Sequence, residues 1–311
     1  MEEDKRLDEY YKSKGMDIDV AKELVSNLMK VSTESILNIE VLKKGFTNTS
    51  FVFEYNKSKY IMRVPGNGTE KIINRQEEAN VYKELSGKNI CEDIVYIDGK
   101  SGYKIAKFYE DSKSADSFNN NDVKACMKRL KEFHEMKLKV EHEFNLFEKI
   151  NFYEKMWNNN PPRRENYYQI KENIFELKEF IDKQEINKSL CHIDSLADNF
   201  LILNNGDVRL IDWEYAGMQD PHLDIAMFAI YAMYDRKQFD NLIDIYFEGK
   251  CENNIRLKIY AYIAICGLLW NNWAEYKINL GEELEEYAIS QYKYAIEYYE
   301  IVKNELKRME D

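Results

Sequence analysis

Between His192 and Asp224 the chain reads HIDSLADNFLILNNGDVRLIDWEYAGMQDPHLD, which spaces Asp194, Asn199, Asp212 and Asp224 as a magnesium nucleotide would require. Magnesium takes hard oxygen ligands and keeps several waters, so the Asn199 amide oxygen and the Asp212 carboxylate suit it, completed by phosphate oxygens. Asp194, held off the metal, can accept the proton of an incoming hydroxyl and aim it in line at a γ-phosphate. His192 is expected to brace the loop. The chemistry that this spacing suits is phosphoryl transfer from a nucleotide to a small-molecule hydroxyl. HxDxxxxN alone recurs by chance; its combination with a hairpin ending in Ile-Asp-Trp-Glu is far more specific.

The surrounding pattern predicts how these residues are brought together. SLCHID reads as a short apolar strand that ends at the loop DSLADN. FLIL and VRLID then form two strands across an Asn204-Asn205-Gly206-Asp207 turn, which delivers Asp212 at the end of a hairpin.

Upstream, Val20, Leu24, Leu28 and Val31 mark an amphipathic helix. ILNIEVLKK, TSFVFEY and KYIMRVP follow as an antiparallel meander, and DIVYID and GYKIAKFYE bring the sheet to five strands. The turn Gly45-Phe46-Thr47-Asn48-Thr49-Ser50 offers small donors to phosphate through Gly45, Thr47, Asn48 and Thr49, although GxGxxG is absent. Taken alone, such a turn is more often an ordinary hairpin turn. Arg63 on the third strand is placed to meet phosphates. A glutamate of the following helix, Glu77 or Glu78, is expected to pair with it, and Glu77 is taken for the site. The backbone at Lys107 and Phe108, where the pattern leaves the sheet, is expected to meet the adenine edge.

From residue 121 onward the pattern becomes helical, with helices over 122–136, 144–157 and 167–181 and a break at Pro161-Pro162. His134 lies on an apolar helical face and reads as a packed core residue. The expected architecture is α+β and two-lobed: residues 1–108 form the nucleotide lobe with its leading helix, and residues 109–311 form the helical lobe with the catalytic loop, metal ligands and acceptor pocket.

Composition narrows the class. A net charge of −12 argues against nucleic acid as a partner. Five cysteines without a CxxC pair suggest neither a disulfide framework nor a zinc cluster. The charged N-terminus and the lack of a membrane-length apolar run lead to the expectation of a soluble, cytoplasmic protein without membrane insertion.

With these residues in place, the chain resembles the choline and ethanolamine kinases, within the aminoglycoside-phosphotransferase-like group that shares the protein-kinase fold. The likeness covers nearly the whole chain. It is carried by Gly45 to Asn48, Arg63, His192 to Asn199, and above all Ile211-Asp212-Trp213-Glu214-Tyr215-Ala216-Gly217, continuing through Asp220-Pro221 to Asp224. The resemblance implies Asp194 as base, Asn199 and Asp212 as metal ligands, Arg63 as phosphate cation and Asp224 as an anchor of the loop. Ile193 and Asp198 depart from the family's commoner residues.

The acceptor is expected to be a small cationic amino-alcohol, with choline first. A quaternary ammonium donates no hydrogen bond and is recognised by aromatic faces, each worth roughly 0.5–2 kcal/mol. Trp270 and Trp273 lie about one turn apart on a long C-terminal helix, and Tyr215 with Glu214 is expected to complete the cage. Ethanolamine, another amino-alcohol or an aminoglycoside is the enzymatic alternative, and an inactive nucleotide-binding scaffold is the non-enzymatic one. The stripe Ile289, Tyr292, Ile296 and Tyr299 on the last helix reads as core.

Overall fold

The computed structural model describes residues 17–44, 48–66 and 69–310, which form ten strands and nine α-helices. In chain order the first half contains α1 (Ile18–Met29), β1 (Leu37–Lys44), β2 (Asn48–Tyr55), β3 (Ser58–Pro65), α2 (Arg75–Leu85), β4 (Ile94–Ile97), β5 (Lys104–Lys107), β6 (Ser112–Ser114) and α3 (Asn120–Glu135). The second contains α4 (Leu146–Lys155), α5 (Tyr167–Asp182), β7 (Ser189–Cys191), β8 (Phe200–Leu203), β9 (Val208–Leu210), β10 (Gly217–Gln219), α6 (His222–Tyr231), α7 (Arg236–Phe247), α8 (Asn253–Asn279) and α9 (Glu285–Glu310).

Two compact units result: Met1–Lys113 with Leu201–Tyr215, and Ser114–Phe200 with Ala216–Asp311. A single boundary after residue 108, drawn on composition, has no place for the return of 201–215 to the first unit. That return follows from pairing: the Leu210 amide donates to the Ile90 carbonyl at 2.9 Å, and Leu210 bridges Cys91 in parallel.

In the first unit the expected five-stranded antiparallel sheet is present, in the order β1-β2-β3-β5-β4. Asn56 and Lys57 both have positive φ, 50° and 62°, and so close a two-residue turn between β2 and β3. That turn matches the strand twist, and the register it sets puts Arg63 opposite Ser50. Alternation then buries Phe51 and Phe53 of β2, Met62 and Val64 of β3 and Ile105 of β5 against Leu24 and Val25 of α1. The helix α1 starts where the Asp17 carboxylate accepts the Val20 amide at 2.9 Å.

The second unit is built around α8, 27 residues long and buried on every side from Leu257 to Lys277. A helix apolar all round must be covered all round, and α4, α5, α6 and α9 do this. Asn272 inside it is satisfied by donating to the Ile150 carbonyl at 3.1 Å and the Tyr167 hydroxyl at 2.8 Å. No helix among the described residues is long and apolar enough to cross a membrane.

The packing face of α9 differs from the expected stripe. Ile289 is 37% exposed, whereas Ala288, Tyr292, Ala295, Tyr298, Tyr299 and Val302 are buried. The face is chosen by small residues, because α9 approaches α8 at Gly267. A Cβ there would lie 2.6 Å from the Gln291 carbonyl oxygen and 2.8 Å from the Ala295 amide nitrogen. Both are helical backbone atoms and cannot turn aside. Gly267→Ala is therefore expected to destabilise the protein by about 1–3 kcal/mol in chemical denaturation, despite the ~1 kcal/mol that alanine gains over glycine in a helix. Unchanged or increased stability would refute this account of the α8–α9 contact.

Candidate active site

In the second unit, the loop after β7 is held from below by one buried carboxylate. Asp224, fully buried in the first turn of α6, accepts the His192 amide on Oδ2 and the Ile193 amide on Oδ1, both at 2.8 Å. His134 Nε2 lies 2.9 Å from Oδ2, and its Nδ1 lies 2.8 Å from the Tyr246 hydroxyl. The Ser195 hydroxyl donates to the Asp224 carbonyl at 2.7 Å. A buried carboxylate is tolerated when its oxygens are met by donors in this way. His134 is thus in the core, as expected, and it also carries a polar role that its apolar helical face did not suggest. The same bonds hold Ile193 at φ +68°, a region that a β-branched side chain rarely enters.

Beyond this bend the loop presents Asp194. Asn199 Nδ2 donates to the Asp194 carbonyl at 2.8 Å and approaches its carboxylate Oδ2 at 3.2 Å. The amide nitrogen is committed to Asp194, so the Asn199 carbonyl oxygen is the atom it can offer a cation.

In the same unit α8 and α9 carry the aromatic residues. Trp270 and Trp273 meet edge to face at 5.8 Å and 79°, and Trp273 meets Tyr287 of α9 at 6.3 Å and 77°. Trp270 is 2% exposed, lies 5.5 Å from the Tyr231 ring and donates its indole N–H to Met227 Sδ at 3.1 Å. Burial, then the negative charge of Asp194, raises the Tyr287 phenol well above its ordinary pKa. Tyr287 is therefore an aromatic neighbour of Trp273. The sequence reading missed it: only Glu285, Glu286 and the helix start mark the position, and neither sets one tyrosine of the chain's 23 apart.

The first unit contains a compact charge cluster. Arg63, 5% exposed, donates from Nη1 and Nη2 to the two oxygens of Glu78 and from Nη2 to the Gly102 carbonyl at 2.9 Å. Its partner is Glu78 and not Glu77. The N-cap Asn74 sets the helical phase, so Arg75, Glu78 and Tyr82 share the buried face of α2 while Glu77 turns aside. Burial would raise the Glu78 carboxyl, but Arg63 beside it, with Lys104 and Arg75, holds it down at about 2. Burial likewise opposes the Arg63 charge, and Glu78, Glu214 and Asp212 more than offset it.

Glu214 belongs to this cluster. It is 8% exposed, and its Oε2 accepts Arg75 Nη1 and Asn48 Nδ2, each at 2.8 Å. Arg75 Nη2 closes the ring on Asn48 Oδ1 at 2.8 Å. The expected acceptor-facing role of Glu214 is thus replaced by an internal one, because two buried donors already share its carboxylate. Tyr215 next to it is buried at 8% exposure. Thr49 lies on β2 opposite Val64, whereas Gly45 and Thr47 lie outside the described residues. The amides of Lys107 and Phe108 donate to the Asp93 and Lys59 carbonyls at 2.9 and 3.0 Å, so neither N–H is available to an adenine edge.

Asp212 sits at φ +65° with its Oδ1 buried, 4.0 Å from Arg63 Nη1 and without a hydrogen-bond partner. Burial and the Glu214 charge push its carboxyl up to about 7, against Lys104 and Arg63. A carboxylate oxygen left bare fits the hard-oxygen preference of magnesium.

Comparison with known proteins gives the family and the fold. The family model described as choline/ethanolamine kinase matches residues 39–264. Protein LicA of Haemophilus influenzae is 27% identical over 266 residues, covering 79% of this chain and 76% of that protein. The crystal structure of the choline kinase LicA from Streptococcus pneumoniae superposes with a TM-score of 0.78 at 25% identity, covering 90% of this chain and 98% of that one. A structure of LicA in complex with AMP gives 0.77 at 25% identity, covering 93% of this chain and all (100%) of the other. The same kinase-like fold extends to an aminoglycoside phosphotransferase, APH(4)-Ia, at a TM-score of 0.64. The chain belongs to the choline/ethanolamine kinase family and is a phosphotransferase that acts on an alcohol group.

Proposed function

We propose that the enzyme transfers the γ-phosphoryl group of ATP to the hydroxyl of choline, with Mg²⁺ as cofactor. The observation that carries the choice of acceptor is the aromatic pair Trp273 and Tyr287, packed ring against ring in the same unit as Asp194. A trimethylammonium head offers no N–H and binds to ring faces. The aromatic pair therefore suits the cationic end of choline, and Asp194 suits its hydroxyl. The likeness to the choline kinase LicA supports the same acceptor, and the AMP complex of LicA supports an adenine nucleotide as donor.

In this reading Asp194 accepts the hydroxyl proton as the oxygen attacks, with Asn199 Nδ2 holding the carboxylate in its rotamer. Arg63, braced by Glu78, neutralises phosphate charge. Asn199 and Asp212 would each offer an oxygen ligand to magnesium, which would supply charge neutralisation to the phosphate oxygens. Trp270, behind Trp273, fixes the orientation of that ring by edge-to-face packing.

Asp194→Ala is expected to lower kcat by on the order of 10²- to 10⁴-fold with nucleotide affinity retained; full turnover in that variant would end the assignment. Trp273→Ala is expected to raise the choline KM about tenfold, equivalent to ~1.4 kcal/mol, and to leave the ATP KM unchanged. An unaltered choline KM, or a substrate panel in which ethanolamine or an aminoglycoside outcompetes choline, would overturn the acceptor.

The raised Asp212 pKa predicts a pH dependence of metal affinity. Below about pH 7 the carboxyl is protonated and a cation must displace the proton; above it the carboxylate is free. The magnesium concentration giving half-maximal thermal stabilisation should therefore fall about tenfold from pH 6 to pH 8. Asp212→Asn should flatten that dependence, and an identical slope in the variant would remove Asp212 from the metal site.

A further inference from the structure

A second buried charge cluster lies beside Arg63 and is used by none of the steps above. Lys104 on β5 stands directly opposite Arg63 on β3 in the antiparallel register, so the two cations share one face of the sheet. Like charges in that relation repel. Each is met by its own carboxylate: Arg63 by Glu78, and Lys104 by Glu92, with Nζ 2.6 Å from Oε1. Tyr82 joins the second pair by donating its hydroxyl to the same Oε1 at 2.6 Å and accepting from Lys104 Nζ at 2.6 Å. The Lys104 ammonium also lies 4.6 Å from the centroid of the Tyr82 ring.

Tyr82, Glu92 and Lys104 are 3%, 6% and 7% exposed, and the other Glu92 oxygen is buried with no hydrogen-bond partner. Such a cluster carries a desolvation cost that an apolar contact would avoid. Its position relative to α2 supplies a reason for it. Glu78 and Tyr82 are four residues apart and lie on the same buried face of the helix. The helix is thereby fastened to the sheet twice along one line: Glu78 to β3 through Arg63, and Tyr82 to β5 through Lys104. A helix held at one polar point can swing about it, whereas a second fastening one turn along fixes its azimuth.

We propose that Tyr82, Glu92 and Lys104 are positioning residues for Arg63. They lock α2 so that Glu78 aims the guanidinium, and Glu92 keeps the Lys104 charge from driving Arg63 out of place. The Lys104 charge reaches Glu78, where after Arg63 it favours the ionised carboxylate. This inference rests on the reading of Arg63 as the cation that meets the nucleotide phosphates.

The test is a kinetic double-mutant cycle on the full chain, with ATP and choline varied separately. Tyr82→Phe removes only a hydroxyl and Glu92→Gln only a charge. Each is expected to raise the ATP KM about three- to tenfold and to leave the choline KM unchanged. A merely structural role would instead lower the active fraction or Tm and leave both KM values where they were. Arg63→Lys alone should raise the ATP KM, and adding Tyr82→Phe to it should produce little further change, because Tyr82 acts through Arg63. Lys104→Arg, which keeps the charge, should come closer to the parent ATP KM than Lys104→Met. Should Glu92→Gln fail to fold, Tyr82→Phe and its combination with Arg63→Lys carry the test. If Arg63→Lys raises the ATP KM but Tyr82→Phe does not, or if the two effects multiply independently, the positioning role is overturned and the phosphate role of Arg63 stands. If Arg63→Lys has no effect on the ATP KM, both fall.

Discussion

The Asp224 carboxylate is the interaction on which the catalytic loop depends. An ion held at zero exposure persists only where donors replace its water, and here two successive backbone amides and an imidazole do so. The amides belong to His192 and Ile193, so satisfying the carboxylate also dictates the path of the chain just before Asp194. The left-handed Ile193 shows the cost: backbone strain, offset by bonds that no other path of the loop would make. Asp194, the proposed general base, is thus presented from a firm support, and Asn199 restrains it from the other side of the turn.

Charge in the first unit follows the same rule in denser form. Two arginines, Arg63 and Arg75, share Glu78 and Glu214, and Asn48 closes the ring. Losing one partner from such a network would leave a buried charge uncompensated, which costs far more than a surface pair contributes. Within it the Asp212 Oδ1 is a carboxylate oxygen left without a hydrogen bond, as Arg63 Nε and Arg75 Nε are among the nitrogens. Most members of the cluster are consumed by one another, and the one bare oxygen lies where a divalent cation is proposed.

Recognition of the proposed acceptor, choline, would rest on a different physical property. An ammonium carrying three methyl groups cannot be read by hydrogen bonds, so orientation must come from ring faces held at fixed angles. Close packing provides this: the small residues of α9 and Gly267 of α8 let the two helices approach, and that approach brings Tyr287 edge-on to Trp273. A glycine in the core therefore helps to set the geometry of the aromatic pair.

What the sequence determined by itself was the set of periodic and punctuated features. The five-stranded antiparallel sheet, the hairpin that ends at Asp212, the loop from His192 to Asn199 and the helical second half were all legible, because alternation, helical spacing and turn residues act over a few positions. The tertiary structure alone decided the matters of phase and partnership. It turned Glu78 and not Glu77 toward Arg63, drew Glu214 into the ring with Arg75 and Asn48, tied up the Lys107 and Phe108 amides, and moved the buried face of α9 away from Ile289. It also brought Tyr287 to Trp273, residues on separate helices with no shared local pattern. Each of these outcomes depends on which buried donor meets which buried acceptor after the elements pack, and contacts between residues distant in the chain leave no period in it.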